Sequence, residues 1–470
     1  MLVQNSRHSL CQMALRNRCF LLCAALLVLS CSKDHASSDH DGGSNTRVEP
    51  GDSQGKREAA AALFAEDRIR TFNLILPEAN LEVINANPTA EQWVEGTLDM
   101  DGDIAQRVGI RYKGAEGAWY DCVEGGPWGR GRKICPLNMK VKIDYVADTT
   151  FHGLKTLQFH AMNDHPSKLT ETVAYWFVRQ MGIPSPRTAF CKLFINGQFE
   201  GLYLHVEDMD GRFVDARQPD SDANLFKEVW PLSWDGTAAP AQAMVDALRT
   251  NEKKANVANF RAFALALESA ADLPAVRAAI EKWMDVEQAL SLAALTLALD
   301  DDDGAFHWYA LDETAASAAM PHNFYWMEEP ARGKFHLLPW DLDKAFTLVA
   351  NPDTSNAIEI LDAWGATSHD CLNYGSGWRQ RSAACDKLVA GMASYKDLYR
   401  AKLQATLDGP FAKVDALVST WTARLEPVIA SLPATNGQRI TPANWKSGVA
   451  SLAQEIAAAR TIVANALATP

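Results

Sequence analysis

The sequence lacks an excess of positive charge. Its 470 residues carry 45 Lys and Arg against 58 Asp and Glu, which gives a formal net charge of −13. Proteins that bind nucleic acid broadly need a basic surface that displaces counterions from the phosphates. The composition therefore excludes a general nucleic-acid-binding protein and leaves room only for a local basic cleft.

Two common catalytic signatures are also missing from the sequence. The cysteine spacings do not match a zinc site, and neither a histidine-rich metal set nor a serine-histidine-aspartate elbow occurs. These absences count against a metal-dependent hydrolase. At 470 residues and 47% apolar composition, the chain is nevertheless long enough to bury a substantial core.

A long apolar run lies near the N-terminus. The run CFLLCAALLVLSC (19–31) follows three arginines and precedes a polar segment, which is typical of a secretory signal rather than of a membrane span. We predict a signal peptide over 1–31 and a flexible polar tether over 32–66. The ending VLSC resembles a bacterial lipobox, which implies lipid attachment to Cys31. The alternative is that Cys31 is an ordinary member of the apolar run.

Beyond that run, the chain has few cysteines. An exported protein can pair them, and four of the five allow three pairings. We favour Cys122 with Cys135 and Cys371 with Cys385, because each bridge closes a short Gly-rich or polar loop. Cys191 lies in the alternating pattern FCKLFI, which indicates a small buried hydrophobic residue rather than a reactive thiol.

The first half of the chain is dominated by strand patterns. Strands are predicted in RTFNLILP (70–77), EGTLDMDGDIAQRVGIRYKG (95–114), LNMKVKIDY (137–145) and GLKTLQFH (153–160). A change to helical period predicts a helix over 167–182, with Ser167 as its N-cap. A hairpin then follows, turning at Asn196–Gly197.

The second half reads as mainly helical, so the predicted fold class is α+β. Helices are expected near 258–271 and 274–299, the second with almost no polar face and therefore buried. Strands HNFYWM (322–327) and FHLLPW (335–340) follow. A last helix is predicted after Thr441–Pro442.

Two carboxylates raise a chemical question. Asp341 and Asp343 come directly after the apolar run FHLLPW. A carboxylate near an apolar interior costs free energy unless a cation or hydrogen bonds meet it. Magnesium prefers one or two protein carboxylates together with phosphate oxygens and water, so a nucleotide-bound metal is the counter-ion that we expect.

Several segments agree with one known family. VGIRYKGAEGAW, NMKVKIDY, LTETVAYWFVRQMG, NLFK, HNFYWM and LLPWDLDKAF occur in the order and approximate spacing of the CotH family of atypical kinases, over roughly residues 70–350. The resemblance implies a kinase-like domain over 67–425. ATP and Mg²⁺, with Mn²⁺ as the alternative metal, would lie between a β-rich N-terminal lobe (67–210) and a mostly helical C-terminal lobe (211–425). Residues 426–470 would form a helical extension.

The resemblance implies a role for several residues of the N-terminal lobe. Lys113 and Gly114 lie in the phosphate-covering turn, where GAEG departs from the family's usual Gly-Asn-Ser. Lys142 resembles the strand lysine that reaches the phosphates. Lys140 is the alternative, since both lie on one strand face. Glu171 resembles the helical partner of that lysine.

Further residues are assigned by the same resemblance. Val206 and Glu207 would lie beside the adenine. Asn323, Asp341 and Asp343 resemble ligands of the metal.

The acidic run DDDDG supplies the expected catalytic carboxylate. Asp303, before Gly304, resembles the family's catalytic or metal-bound aspartate, and Asp302 is its rival because the family's usual preceding Trp is absent. Four aspartates at a helix C-terminus are disfavoured by the helix dipole, so a bound cation would explain them. A solvated acidic turn is the plain alternative.

Two functions follow from these observations. The first is an exported kinase that transfers the γ-phosphate of ATP to hydroxyl groups of a protein substrate in the cell envelope or outside the cell. It would be anchored through lipid on Cys31 at the outer membrane, in the periplasm or at the cell surface. The second is a catalytically inactive kinase-fold lipoprotein that serves as a structural or binding module. The altered GAEG loop and the scarcity of ATP outside the cytoplasm favour the second.

Overall fold

The computed structural model describes most of the chain beyond the predicted tether. The described residues are 60–127, 129–218, 222–310, 319–346, 369–374, 379–433 and 440–468. The predicted signal peptide, Cys31 and most of the predicted tether lie outside them. The described part contains both helices and sheets, which confirms the α+β class.

A closed barrel of seven strands forms the first half of the fold. The strands are β1 (Arg70–Ile75), β2 (Val94–Met100), β3 (Asp103–Tyr112), β4 (Met139–Lys142), β5 (Thr156–His160), β6 (Thr188–Ile195) and β7 (Gln198–Val206). Their order round the barrel is β1-β2-β3-β4-β5-β7-β6, and a parallel pairing of β1 with β6 closes it. Alternating apolar residues such as Phe72, Val141 and Phe159 fill the interior.

Three helices interrupt the barrel strands: α1 (Glu78–Ala86), the short α2 (Glu116–Trp119) and α3 (Thr170–Gln180). The helix α3 begins at Thr170 with Leu169 at the N-cap, so the prediction that Ser167 caps it was wrong. Ser167 Oγ instead accepts a hydrogen bond from Leu169 N at 3.1 Å, in the turn before the helix. The buried side of α3 belongs to the larger hydrophobic core, which joins the second half of the fold to residues of β6 and β7, and not to the core inside the barrel.

The described residues of the second half include five short strands: β8 (Leu225–Lys227), β9 (Trp308–Ala310), β10 (Phe324–Glu329), β11 (Lys334–Pro339) and β12 (Arg379–Arg381). A three-stranded sheet has the order β11-β10-β8, and β12 pairs with β9. The β10–β11 hairpin pairs Phe324 with Pro339, so Asn323 and Trp340 lie together at its end. This end of the hairpin faces α3, because Asp341 N donates a hydrogen bond to the Tyr175 hydroxyl.

The described residues of the second half also form helices. They are α4 (Gly211–Arg217), α5 (Ala241–Asp246), α6 (Ala258–Ser269), α7 (Leu273–Trp283), α8 (Val286–Leu299), α9 (Lys387–Ala393), α10 (Lys396–Thr406), α11 (Ala412–Ala430) and α12 (Pro442–Ala468). The single helix predicted over 274–299 is two helices, because Asp285 caps a new helix by accepting from Gln288 N. As predicted, α8 is buried on all sides from Ala289 to Leu299.

The cysteines pair as predicted. Cys122 is bonded to Cys135 and Cys371 to Cys385. Cys191 is a buried free thiol whose pKa is raised by burial. Disulfides are typical of oxidising compartments outside the cytoplasm. Across the described ranges, no helix combines the length and the apolar character needed to cross a bilayer.

The last helix, α12, holds the loop that leads into α3. Trp445 Nε1 donates to the Ser167 carbonyl at 2.8 Å, and the His165 ring contacts Glu455 Oε1 at 3.3 Å. Gly448 lies so close to this loop that a Cβ there would stand 2.5 Å from Ser167 N. The position of α3 therefore depends on close packing with the C-terminal end of the chain.

We expect Gly448→Ala to lower the free energy of unfolding by about 1–3 kcal/mol, because the new methyl group meets the backbone of Ser167. Urea unfolding measures the change. Gly409→Ala is the matched control, since a Cβ at Gly409 meets no atom within 4 Å. Equal stability of the two variants would contradict the close packing.

Candidate active site

The candidate site lies where the barrel meets α3 and the end of the β10–β11 hairpin. Lys113 follows β3, and His160 ends β5. Glu171 lies in the first turn of α3, and Asp341 follows β11. The ligand atoms of His160, Glu171 and Asp341 all lie within 4.8 Å of one another. Four separate elements therefore bring these side chains to one place.

A chain of hydrogen bonds joins Lys113 to Glu171. Lys113 Nζ donates to Gln158 Oε1 at 2.6 Å and contacts His160 Nε2 at 2.9 Å. His160 Nδ1 lies 2.8 Å from Glu171 Oε1. Gln158 and His160 are two residues apart on β5, so both side chains point to the same face of the strand. His160 and Glu171 are both buried, while Lys113 keeps partial exposure.

A backbone hydrogen bond fixes the position of Asp341. Asp341 adopts a left-handed conformation with φ 56°, and its N–H donates to Tyr175 Oη at 3.1 Å. Tyr175 is fully buried in α3, so the bond ties the turn after β11 to the helix that carries Glu171. Asp341 itself is partly exposed and can meet a ligand.

Asn323 lies beside Asp341 at the end of the same hairpin. Its carbonyl oxygen accepts from Trp340 N at 2.9 Å, and its N–H donates to Glu228 Oε1 at 3.1 Å. Glu228 follows β8, so three strands contribute to this corner. The structure thus places the predicted amide and carboxylate ligands on adjoining strand ends.

Asp343 lies two residues beyond Asp341, and the next residue is Lys344. Burial raises the pKa of Asp343, and the charges of Asp341 and Asp164 raise it further. Lys344 Nζ donates to Asp164 Oδ1 at 2.9 Å. Lys344 thus offsets part of the negative charge at this side of the site.

Burial dominates the electrostatics at the centre of the site. Burial and the charge of Lys113 lower the pKa of His160 to about 3, so its ring is neutral at pH 7. Burial raises the pKa of Glu171 to about 8. Burial also raises the pKa of Asp341, against the lowering effect of His160 and Lys113. Because the carboxylates are disfavoured as they stand, an added cation would stabilise their charged forms.

The acidic turn after α8 belongs to the same region. Burial raises the pKa of Asp301 to about 8, of Asp302 to about 7 and of Asp303 to about 6, with help from neighbouring aspartates. Tyr309 Oη donates to Asp303 Oδ1 at 2.5 Å. The charge of Asp341 also raises the pKa of Asp303, so the two carboxylates lie within electrostatic range of each other.

The two candidate strand lysines lie at different distances from the hydrogen-bond chain. Lys140 pairs with Gln158 across the sheet, and its Nζ lies 3.4 Å from Asp208 Oδ2. Asp208 also accepts from Gln158 Nε2 at 2.5 Å. Lys142 lies opposite Thr156, two residues farther along β4. Of the two, Lys140 is thus the one that adjoins the site, while the lysine linked to Glu171 is Lys113.

The residues predicted to contact adenine are engaged within the protein. Glu207 is buried, and its carboxylate accepts from Arg187 and Arg217 at 2.6 Å each. Burial would raise the pKa of Glu207, but the two guanidinium groups outweigh burial and lower it. Val206 ends β7 and pairs with Gln158 and Thr188.

Gly114, which the resemblance assigns to the phosphate-covering turn, is also engaged within the protein. Its N–H donates to Glu91 Oε1 at 3.0 Å. A Cβ at this position would lie 2.6 Å from Ala118 Cβ, so the chain is closely packed there. The peptide N–H of Gly114 is therefore already satisfied.

Sequence reasoning did not find several residues of the site. These are Gln158, His160, Asp164, Tyr175, Asp208, Glu228, Tyr309 and Lys344. The alternation of TLQFH could have placed Gln158 and His160 on one face of β5. The others join the site through long-range packing that leaves no local sequence signal.

The donor set fits a divalent cation. It combines a partly exposed carboxylate, Asp341, with further acidic groups whose pKa values are raised by burial. Asp302 Oδ1 is buried and has no hydrogen-bond partner among the described residues. Oxygen donors of this kind suit Mg²⁺ or Mn²⁺.

Fold and site together define an α+β protein in which a hydrogen-bonded lysine–histidine–glutamate chain lies beside a cluster of carboxylates. The sequence matches the family described as CotH kinase protein over residues 110–463, and the chain therefore belongs to the CotH family. The match extends beyond residue 425, and α11 also crosses that predicted boundary.

Two curated proteins of Bacillus subtilis (strain 168) are similar to parts of the chain. One, described as inner spore coat protein H-like protein, is 41% identical over 56 residues, which is 12% of this chain and 18% of the relative. The other, inner spore coat protein H, is 28% identical over 101 residues, which is 21% of this chain and 28% of the relative. The chain thus matches less than a third of the length of either relative.

Proposed function

We propose that the protein is a kinase that transfers the γ-phosphate of ATP to hydroxyl groups of a protein substrate. One observation carries the proposal: Lys113, Glu171 and Asp341 come together from three separate elements. Protein kinases require a lysine paired with a helical glutamate and an aspartate that binds the metal. Membership of the CotH family supports the same activity.

In this proposal, different residues of the chain would bind the metal, bind the phosphates and orient the acceptor hydroxyl. Asp341 and Asn323 would hold Mg²⁺, with Asp343 and Asp303 as further oxygen donors. Lys113, with Lys140 beside it, would face the phosphates. When bound, the metal supplies neutralisation of the charge on the transferred phosphoryl group. Asp303, fixed by the Tyr309 hydroxyl, would orient the acceptor hydroxyl.

In this proposal the barrel is the N-terminal lobe and the second half of the chain is the C-terminal lobe of a kinase-like fold. The nucleotide would lie between them, where α3 and the β10–β11 hairpin meet. The two disulfides support action outside the cytoplasm. Export through the segment 1–31, with lipid on Cys31 and a protein substrate of the cell envelope or exterior, completes the proposal.

A second candidate, an inactive kinase-fold module of the envelope, is favoured by a different observation. The Gly114 N–H, which the resemblance assigns to the phosphate-covering turn, donates to Glu91 instead. The Glu207 carboxylate is likewise occupied by two arginines. In an inactive protein these contacts would persist when ATP and Mg²⁺ are added.

Incubation of the purified full chain with Mg²⁺ and γ-labelled ATP tests the proposal. We expect label to pass to the protein itself or to an added protein, and we expect chelation of the metal to stop the transfer. The inactive module predicts no transfer at any metal concentration.

Among the lysines, we expect Lys113→Met to raise the KM for ATP at least about 10-fold, because a charged hydrogen bond to phosphate contributes about 1.5–3 kcal/mol. Lys142→Met is the matched control and should change the KM less than about threefold, since it lies farther along β4 from Gln158 than Lys140 does. A larger effect at Lys142 than at Lys113 would return the phosphate-binding role to Lys142.

A further inference from the structure

We propose that His160 is the positioning residue of the site: it bridges Glu171 to Lys113 and thereby makes Lys113 the phosphate-facing cation, in place of a direct lysine–glutamate pair. The inference rests on the proposed function, because the purpose of the bridge is to present a cation to the nucleotide. Three observations support it: the two ring contacts, the burial of the ring, and the fact that both ring nitrogens already have a partner.

The two ring contacts assign the ring protons. An ammonium group can only donate, so His160 Nε2, 2.9 Å from Lys113 Nζ, must accept. In a neutral ring the proton then lies on Nδ1, which donates to Glu171 Oε1 at 2.8 Å. Glu171 is thus connected to the ammonium group of Lys113 through one imidazole.

The surroundings fix this ring in place. His160 and Glu171 are each only 3% exposed, and the His160 ring meets the Trp340 ring in a T-shaped contact with a centroid distance of 6.2 Å. Lys113 has a second anchor in Gln158, two residues earlier on β5. A lysine that is held by two side chains of one strand presents its ammonium group in a single place.

The bridge also decides what binds the metal. His160 is close enough to Glu171 and Asp341 to join them as a ligand. Both of its ring nitrogens are already engaged, however, one by Lys113 and one by Glu171. The bridge therefore leaves the cation to oxygen donors, which favours Mg²⁺ or Mn²⁺ over Zn²⁺.

The first test needs neither nucleotide nor catalysis. In the ¹⁵N-labelled full chain, His160 is identified by comparing the imidazole signals with those of His160→Gln. We expect a neutral ring with its proton on Nδ1, and we expect these signals to stay unchanged when Zn²⁺ is added. A ring protonated on Nε2, or signals shifted by Zn²⁺ together with a loss of Zn²⁺ affinity in His160→Gln, would overturn the bridge.

The second test measures coupling through the affinity for MgATP. We expect His160→Leu and Lys113→Met each to raise the Kd about 10-fold, and the double variant to be no worse than either, because both act through one cation. His160→Gln, whose amide can accept from Lys113 and donate to Glu171, should recover most of the affinity. Losses that multiply in the double variant would overturn the proposal.

The two tests separate the bridge from the function. If the wild-type chain does not bind MgATP, the proposed kinase activity fails, and the ring measurement on the nucleotide-free protein still decides the bridge. If MgATP binds and the ring is protonated on Nε2, the bridge fails and the kinase proposal stands.

Discussion

Asp341→Asn is expected to reduce phosphoryl transfer by at least about 100-fold, the size of loss seen when a charge-stabilising group is removed from an active site. Asn keeps the shape of the side chain and its place after β11 but removes the charge that would hold the metal. The Asp341 N–H bond to Tyr175 is made by the backbone, so the variant retains it.

The fold should tolerate this substitution well. Burial raises the pKa of Asp341, which means that the carboxylate is disfavoured in the metal-free protein. Removing the charge should therefore leave the free energy of unfolding unchanged or increase it. Rates of label transfer and urea unfolding measure the two effects, and the exposed Asp397→Asn is the control. A fully active Asp341→Asn enzyme would contradict the assigned role.

Asp303→Asn should also abolish transfer, with a loss of about 100- to 10,000-fold, because general acid–base groups contribute on that scale. Asp302→Asn should lose less than about 10-fold. Asp303 is distinguished by the hydrogen bond from Tyr309 Oη and by the effect of Asp341 on its pKa. A variant Tyr309→Phe should give an intermediate loss, since it leaves the carboxylate without its anchor.

The substitution Asp303→Asn should also change how the stability of the protein depends on pH. Burial raises the pKa of Asp303 to about 6, so the folded chain binds this proton more tightly than the unfolded chain does. Its contribution to stability is therefore present at low pH and is lost as the pH rises from about 4 to about 6. Asp303→Asn should remove that part of the pH dependence. A loss of activity in Asp302→Asn as large as that in Asp303→Asn would contradict the assignment of the catalytic role to Asp303 alone.

Local patterns predicted much of this fold. Alternation located the strands that form the barrel, and short loops between cysteines predicted both disulfides. The uniformly apolar run in α8 predicted a buried helix. Two local errors, at Ser167 and Asp285, have one cause: a polar side chain next to a helix start can bond within a preceding turn or begin a new helix, and sequence alone does not distinguish these outcomes.

The site was less predictable, because it depends on how distant segments meet. Alternation placed Lys140 and Lys142 on one face of β4, but only the register with β5 shows which of them adjoins Gln158. The contact of Lys113 with His160 needs both strand ends at the same edge of the barrel. These are properties of barrel closure, which no short stretch of sequence encodes.

The proposed function depends most directly on whether the full chain binds ATP together with a divalent cation. Thermal unfolding with increasing MgATP measures this. We expect a saturable rise in the unfolding temperature, equivalent to about 2.7 kcal/mol at 100 times the Kd, that disappears on chelation and in Asp341→Asn. An unfolding temperature that stays constant at every MgATP concentration would contradict it.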